Sequence, residues 1–167
     1  STSHNYKITP KPVDITVTNV SNITYDGEVH APTATYTDVN GATVNAVTKI
    51  TKDGSIINAT DVKNAGAYTL TASLKDDTNY VWADTTTTAD KTYNWTINKA
   101  KATLTTSNVS NITYDGVVHA PTATYIDVNG TEVDAVTEIT KDGTVINAND
   151  VKNAGAYTLT ASLKDDT

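Results

Sequence analysis

The residues best suited to chemistry are few, and most of them occur in pairs. His30 and His119 stand in the same Val-His-Ala-Pro context. A metal site needs three or four converging ligands. Neither histidine has a second His or a Cys nearby in sequence, and His4 lies in a terminal stretch. Both read as polar residues leading into a strand. Asp127-Val-Asn-Gly-Thr-Glu-Val-Asp134 is acidic enough to suggest calcium. Its counterpart, Asp38-Val-Asn-Gly-Ala-Thr-Val-Asn45, has Thr43 and Asn45 where the first has Glu132 and Asp134. Neither has the ligand spacing of an EF-hand, and a hairpin turn accounts for both. Asp76 and Asp77 are adjacent carboxylates, whereas glycosidase pairs face each other across a cleft, so they read as a solvated loop. No Ser/His/Asp arrangement, phosphate loop or dinucleotide fingerprint is present. The sequence therefore predicts no catalytic residue, no metal ligand and no cofactor, and a protein that is not an enzyme.

One short run stands out. Alternation puts Tyr80 and Trp82 on one face of a strand, opposite Val81. Facing outward, the two rings would stack on sugars, making Tyr80 and Trp82 the candidate ligand-binding residues. Facing inward, they would cap a core, the arrangement that large apolar rings favour. The Asn-x-Ser/Thr sequons, such as Asn22 and Asn111, follow from an Asn- and Thr-rich composition. An intramolecular Lys–Asn cross-link would need Lys, Asn and an acid buried together, and most lysines here fall at turns or strand ends.

These residues pair off because the chain repeats itself. Val20 to Gly27 returns as Val109 to Gly116, and Asp61 to Tyr68 as Asp150 to Tyr157, at a constant offset of 89 residues. Between Asn19 and Thr78 only nine of 60 positions differ from their partners, so the chain is an array of like modules. Copying in series is unusual for an active site. A period of this length can build one core. Residues 90–98 align with residues 1–9, and Asn94-Trp-Thr-Ile97 falls on Asn5-Tyr-Lys-Ile8. Two phasings fit this period, 1–78 with 79–167, or a tail strand of a preceding repeat (1–9), repeat one (10–98) and repeat two (99–167), the last without its final strand; the second is preferred because Tyr68–Leu74 and Tyr93–Ile97 can then pair as adjacent strands. That leaves a strand edge exposed in repeat two, and residues 1–9 of another copy are the same kind of strand.

Within a repeat the dominant period is two. Tyr68, Leu70, Ala72 and Leu74 share one face and Thr69, Thr71 and Ser73 the other, as in a half-buried antiparallel strand. Tyr93, Trp95 and Ile97 form a second such strand, able to pair with the first, and Val13, Ile15 and Val17 a third. Asn40-Gly41 and Asp53-Gly54 mark hairpins, with Asn-Gly suited to a type I′ turn. Tyr25-Asp-Gly27 marks a further turn, and Ala59 to Asn64 at most one helical turn. About seven short strands per repeat, with turns every 8–12 residues, suggest a sandwich. Tyr68, following Asp61 and entering a strongly alternating strand, fits the tyrosine corner of Ig-like sandwiches, its hydroxyl bonding back to upstream backbone. The join Ile97 to Leu104 has no Gly or Pro, so successive repeats are expected to stack end to end as a stiff, monomeric rod.

The net charge of −7 and the absence of clustered Lys or Arg argue against nucleic acid. No apolar run suits a membrane helix, so no membrane insertion is expected. No Cys is present, which excludes disulfides. With neither a signal peptide nor a wall anchor visible, the chain reads as a piece of a longer protein.

Three motifs in order, Tyr6-Lys-Ile-Thr-Pro-Lys-Pro-Val13, Ile23-Thr-Tyr-Asp-Gly27 and Asn64-Ala-Gly-Ala-Tyr68, resemble the MBG/YDG-type Ig-like repeats of bacterial surface proteins. The look is nearest to repeats of mucus- and epithelium-binding adhesins of lactobacilli. The resemblance implies tandem Ig-like β-sandwiches in an extracellular, cell wall-attached protein, and it carries no catalytic residues. It implies weak, multivalent binding to mucin or other host-surface glycoproteins and glycans. The alternatives are a passive stalk projecting a separate binding domain, and an accessory module of a secreted glycosidase.

Overall fold

The computed structural model describes residues 1–166. The chain is all-β and divides into two compact units, Ser1–Lys99 and Ala100–Thr167. Unit 1 holds β1 (Lys11–Val13), β2 (Thr16–Thr18), β3 (Ile23–Thr24), β4 (Thr33–Thr37), β5 (Thr43–Asn45), β6 (Val47–Lys52), β7 (Ser55–Ile57), β8 (Gly66–Ser73), β9 (Tyr80–Trp82) and β10 (Lys91–Asn98). Unit 2 holds β11 (Leu104–Ser107), β12 (Thr122–Ile126), β13 (Glu132–Asp134), β14 (Val136–Lys141), β15 (Thr144–Ile146) and β16 (Tyr157–Ser162). Ser1–Thr9, expected as a tail strand, forms no strand and is exposed throughout. Among the described residues no helix is long and apolar enough to cross a membrane.

In unit 1 a five-stranded sheet, β3-β10-β8-β6-β7, faces a three-stranded sheet, β2-β4-β5. Ala34 of β4 packs in one core with Ile50, Leu70, Trp95 and Ile97 of the larger sheet, an arrangement consistent with a β-sandwich. As alternation predicts, Tyr68, Leu70 and Ala72 are buried, and β8 pairs antiparallel with β10 at Tyr68↔Trp95. The rings of Tyr68 and Trp95 stack at 5.5 Å.

Two expected strands are each divided between sheets. Val13, Ile15 and Val17 read as one strand, but β1 pairs with β9 while β2 pairs with β4. Likewise Ala42–Thr48 breaks at Ala46, where β5 in the smaller sheet gives way to β6 in the larger one. Apolar alternation continues through both switches because the core lies between the sheets, so periodicity does not mark the crossing.

The turns correct a second expectation. Asn-Gly does not form the type I′ hairpin. Only Gly41 has positive φ, and the Asp38 carboxylate accepts from the amides of Asn40 and Ala42, both at 2.9 Å. Gly41 N–H donates to Asp38 O at 3.1 Å, giving a three-residue loop that ends in a left-handed glycine. The type I′ turn is at Asp53-Gly54, with φ of 48° and 85° between the paired Lys52 and Ser55. A Cβ on Gly54 would meet nothing within 4 Å, so substitution there tests backbone conformation alone. Gly54→Ala is expected to lower unit 1's stability by about 1 kcal/mol in urea unfolding. Gly54→Asn is expected to lose less, because Asn tolerates the left-handed region; equal losses would argue against the conformational origin.

Candidate functional site

The aromatic pair singled out by the sequence turns inward. β9 lies parallel to β1, with Val13 opposite Trp82, and this pairing carries the rings onto the end of the core. Trp82 is 1% exposed and Tyr80 9%. Tyr36 of β4 meets both, Tyr80 at 5.7 Å and Trp82 edge-on at 6.0 Å, and Val13 and Leu74 complete the cluster. The Val39 N–H donates to Tyr80 Oη at 3.2 Å, tying the rim of the cluster to the Asp38 turn. The outward sugar-stacking platform of Tyr80 and Trp82 is therefore not formed. The shared face and its burial, favoured for large apolar rings, both hold, and β1, a strand far away in sequence, is what seats them. The indole Nε1 of Trp82 is buried and has no hydrogen-bond partner among the described residues.

The connection that carries these rings is organised by two carboxylates. Asp76 accepts from the amides of Thr78 and Asn79 and from Asn79 Nδ2, which lowers its pKa. Asp84 takes both contacts from Lys91 Nζ, at 2.6 and 2.7 Å, with the same effect. The adjacent Asp76-Asp77 is thus a turn, as the sequence suggested.

The tyrosine corner is present in both units. Tyr68 Oη donates to Asn64 O at 2.5 Å, and Tyr157 Oη to Asn153 O at the same distance. Burial raises the pKa of Tyr68, which keeps its hydroxyl protonated as a donor. Beside the corner, Asp53 Oδ1 accepts from Ala67 N–H at 3.0 Å, and a single 3₁₀ turn, Ala59–Asp61, follows β7.

The histidines have a role that the sequence reading missed. His30 Nε2 lies 2.9 Å from both carboxylate oxygens of Asp26, and His119 sits in the same way on Asp115. The signal was an i, i+4 His–Asp spacing across the Tyr-Asp-Gly turn, repeated in both copies. Asp26 also accepts from Glu28 N–H, so the carboxylate closes the turn and holds the ring. The hydrogen bond from His30, then that from Glu28, pulls the Asp26 carboxyl below its ordinary value of 3.8. Asp115 is lowered in the same way by His119 and Val117. No metal-ligand set is assembled: among the described residues no three His, Asp or Glu side chains converge. The acidic stretch Asp127–Asp134 is a hairpin in which Asp127 accepts from the amides of Asn129 and Thr131. No polar or charged side chain is buried among the described residues, so none of the lysines meets the conditions for a Lys–Asn cross-link.

Unit 2 carries a groove of about 740 Å³, with Ile112, Tyr114, Ile139, Val151, Tyr157 and Leu159 among its walls. Ile112 and Tyr114 are each 61% exposed, while their copies in unit 1, Ile23 and Tyr25, pack against the core. The same residues are thus apolar wall in one unit and groove lining in the other. No protein-family model matches this chain, and no curated protein matches it.

Three outcomes follow. Trp82→Ala is expected to lower unit 1's stability by about 3–5 kcal/mol, as loss of a buried indole does; unchanged urea unfolding would contradict the inward placement. Tyr68→Phe is expected to cost about 1 kcal/mol, the usual loss for a removed hydrogen bond. For Asp26 and Asp115, the lowered folded-state pKa means their contribution is present above the ordinary carboxylate value and is lost as pH falls through the folded value. A double Asp26→Asn, Asp115→Asn variant should therefore melt lower than the parent at pH 7, with the gap closing under acid. A gap independent of pH would rule out the carboxylate's charge as the cause.

Proposed function

We propose that this chain belongs to the repeat region of a bacterial cell-surface adhesin, built from tandem Ig-like β-sandwiches, and that these repeats act chiefly as spacers. The observation that carries this reading is what the two copies share. Every side-chain device found in both units is structural: the Tyr68/Tyr157 corner, the Asp38/Asp127 turn, the Asp26–His30 and Asp115–His119 clamps. Tyr80 and Trp82, the residues best suited to stacking on a glycan, lie in the core instead. The motif order Tyr-x-Ile, Tyr-Asp-Gly, Asn-Ala-Gly-x-Tyr supports an extracellular, wall-attached setting. A Thr- and Asn-rich, acidic surface suits a solvated module that does not associate unspecifically with polyanions.

Direct binding of mucin or host glycoproteins by many weak contacts is the competing reading, and a single experiment separates the two. The chain is passed at increasing concentration over immobilised mucin. The spacer reading predicts no saturable signal. Saturable binding by the folded chain would overturn it and restore the repeats as the binding elements. An Ig-like sandwich of matched charge serves as the reference for unspecific retention.

A further inference from the structure

Four Asp-Gly and two Asn-Gly pairs lie in the turns of this chain. All six share one intrinsic chemistry. A glycine has no Cβ to shield its backbone nitrogen, so that nitrogen can reach the γ-carbon of the preceding side chain and close a five-membered ring. The structure separates the six. Asp26 and Asp115 hold both carboxylate oxygens against the rings of His30 and His119. Asp53 and Asp142 accept from the amides of Ala67 and Ala156, at 3.0 and 3.1 Å. A carboxylate is also a poorer electrophile than an amide, since it must first be protonated. Asn40 and Asn129 differ on each count. They are exposed, as are Gly41 and Gly130, and their side-chain amides bond to nothing among the described residues. A Cβ on either glycine would meet nothing within 4 Å, so the space beside each reacting nitrogen is open. One hydrogen bond restrains each nucleophile: Gly41 N–H donates to Asp38 O at 3.1 Å, and Gly130 N–H to Asp127 O at 3.0 Å. No other Asn in the chain precedes a Gly.

We propose that Asn40 and Asn129 are sites of spontaneous covalent modification, at which the folded protein deamidates without an enzyme. Gly41 N attacks Asn40 Cγ. The new C–N bond forms, the Cγ–Nδ2 bond breaks, and Nδ2 leaves as ammonia with the proton lost by the glycine amide. Water then opens the succinimide at either carbonyl. One opening leaves aspartate, the other isoaspartate, in which the main chain runs through the former side chain. Both products carry a new carboxylate. It arises beside Asp38, whose Oδ1 already holds the amides of Asn40 and Ala42 at 2.9 Å, so two like charges come to share one short loop. Isoaspartate also lengthens that loop by one main-chain carbon, next to the Val39 N–H that donates to Tyr80 Oη. The same steps at Asn129 act beside Asp127. Each unit therefore carries a slow, irreversible change of charge and of main-chain length, at the β4–β5 loop in one and the β12–β13 loop in the other.

The test uses the intact chain, held folded at mildly alkaline pH, where the glycine amide loses its proton more readily. Peptide mapping by mass spectrometry should find amide-to-acid conversion at positions 40 and 129 severalfold faster than at Asn64 and Asn153, which are also exposed but precede Ala. An isoaspartyl methyltransferase should label the same two positions, and the four Asp-Gly pairs severalfold less. A double Asn40→Ser, Asn129→Ser variant keeps both glycines and loses no side-chain contact, and its ammonia release should fall severalfold. No conversion at positions 40 and 129 would overturn the proposal. Conversion matched at Asn64 and Asn153, label matched at the Asp-Gly pairs, or ammonia release undiminished in the double variant would equally overturn it.

Discussion

Each unit depends on its central alternating strand being flanked on both sides. In unit 1, β8 sits between β6 and β10, and its inward residues Tyr68, Leu70 and Ala72 are almost fully buried. In unit 2 the same six residues, Tyr-Thr-Leu-Thr-Ala-Ser, form β16 with a neighbour on one side only. Tyr157, Leu159 and Ala161 are then only partly buried. Identical sequence with different burial isolates the cause, which is the presence of the flanking strand and not local propensity. Stacking of Trp95 on Tyr68 shows why that strand matters: it brings the largest apolar group to the middle of the core.

The same comparison explains how local order arises. The Val-Ser-Asn-Ile-Thr-Tyr-Asp-Gly segment is strand only where β10 is available to pair with it. Asn22 Oδ1 accepts from Thr96 N–H in unit 1, adding a side-chain anchor to a very short parallel pairing. In contrast, the turns persist without β10. The Asp38 and Asp127 loops, the 3₁₀ turns and the Tyr corners are alike in both units, because their bonds are made within a few residues of chain. Local devices set the turns, and the non-local strand sets the core.

What could be read from sequence divides along the same line. The inward sets of β8 and β10, their antiparallel pairing, the single helical turn and the tyrosine corner were all legible, since each rests on periodicity or on near neighbours. The sheet switches near Asp14 and Ala46 were not, because the apolar pattern runs through them unbroken. The Asn-Gly turn was misread because the preceding Asp38 carboxylate captures two amides and favours a longer loop. Burial of Tyr80 and Trp82 was the favoured reading on ring size, but the strand that seats them, β1, some seventy residues earlier, left no local signal of its pairing with β9. The Asp26–His30 contact was visible as a spacing but not as an interaction, since a turn, unlike a helix, gives no general rule that i and i+4 meet.

These points bear on the spacer reading. A module whose repeated side chains all serve its own turns and core is suited to being copied, since each copy needs only its flanking strand. Native-state hydrogen exchange tests that dependence most directly. The Tyr-Thr-Leu-Thr-Ala-Ser segments of β8 and β16 are identical, so their intrinsic exchange rates match closely and any difference reports opening of the structure. The flanking-strand account predicts markedly slower exchange for Tyr68–Ser73 than for Tyr157–Ser162. Equal protection of the two segments would contradict it.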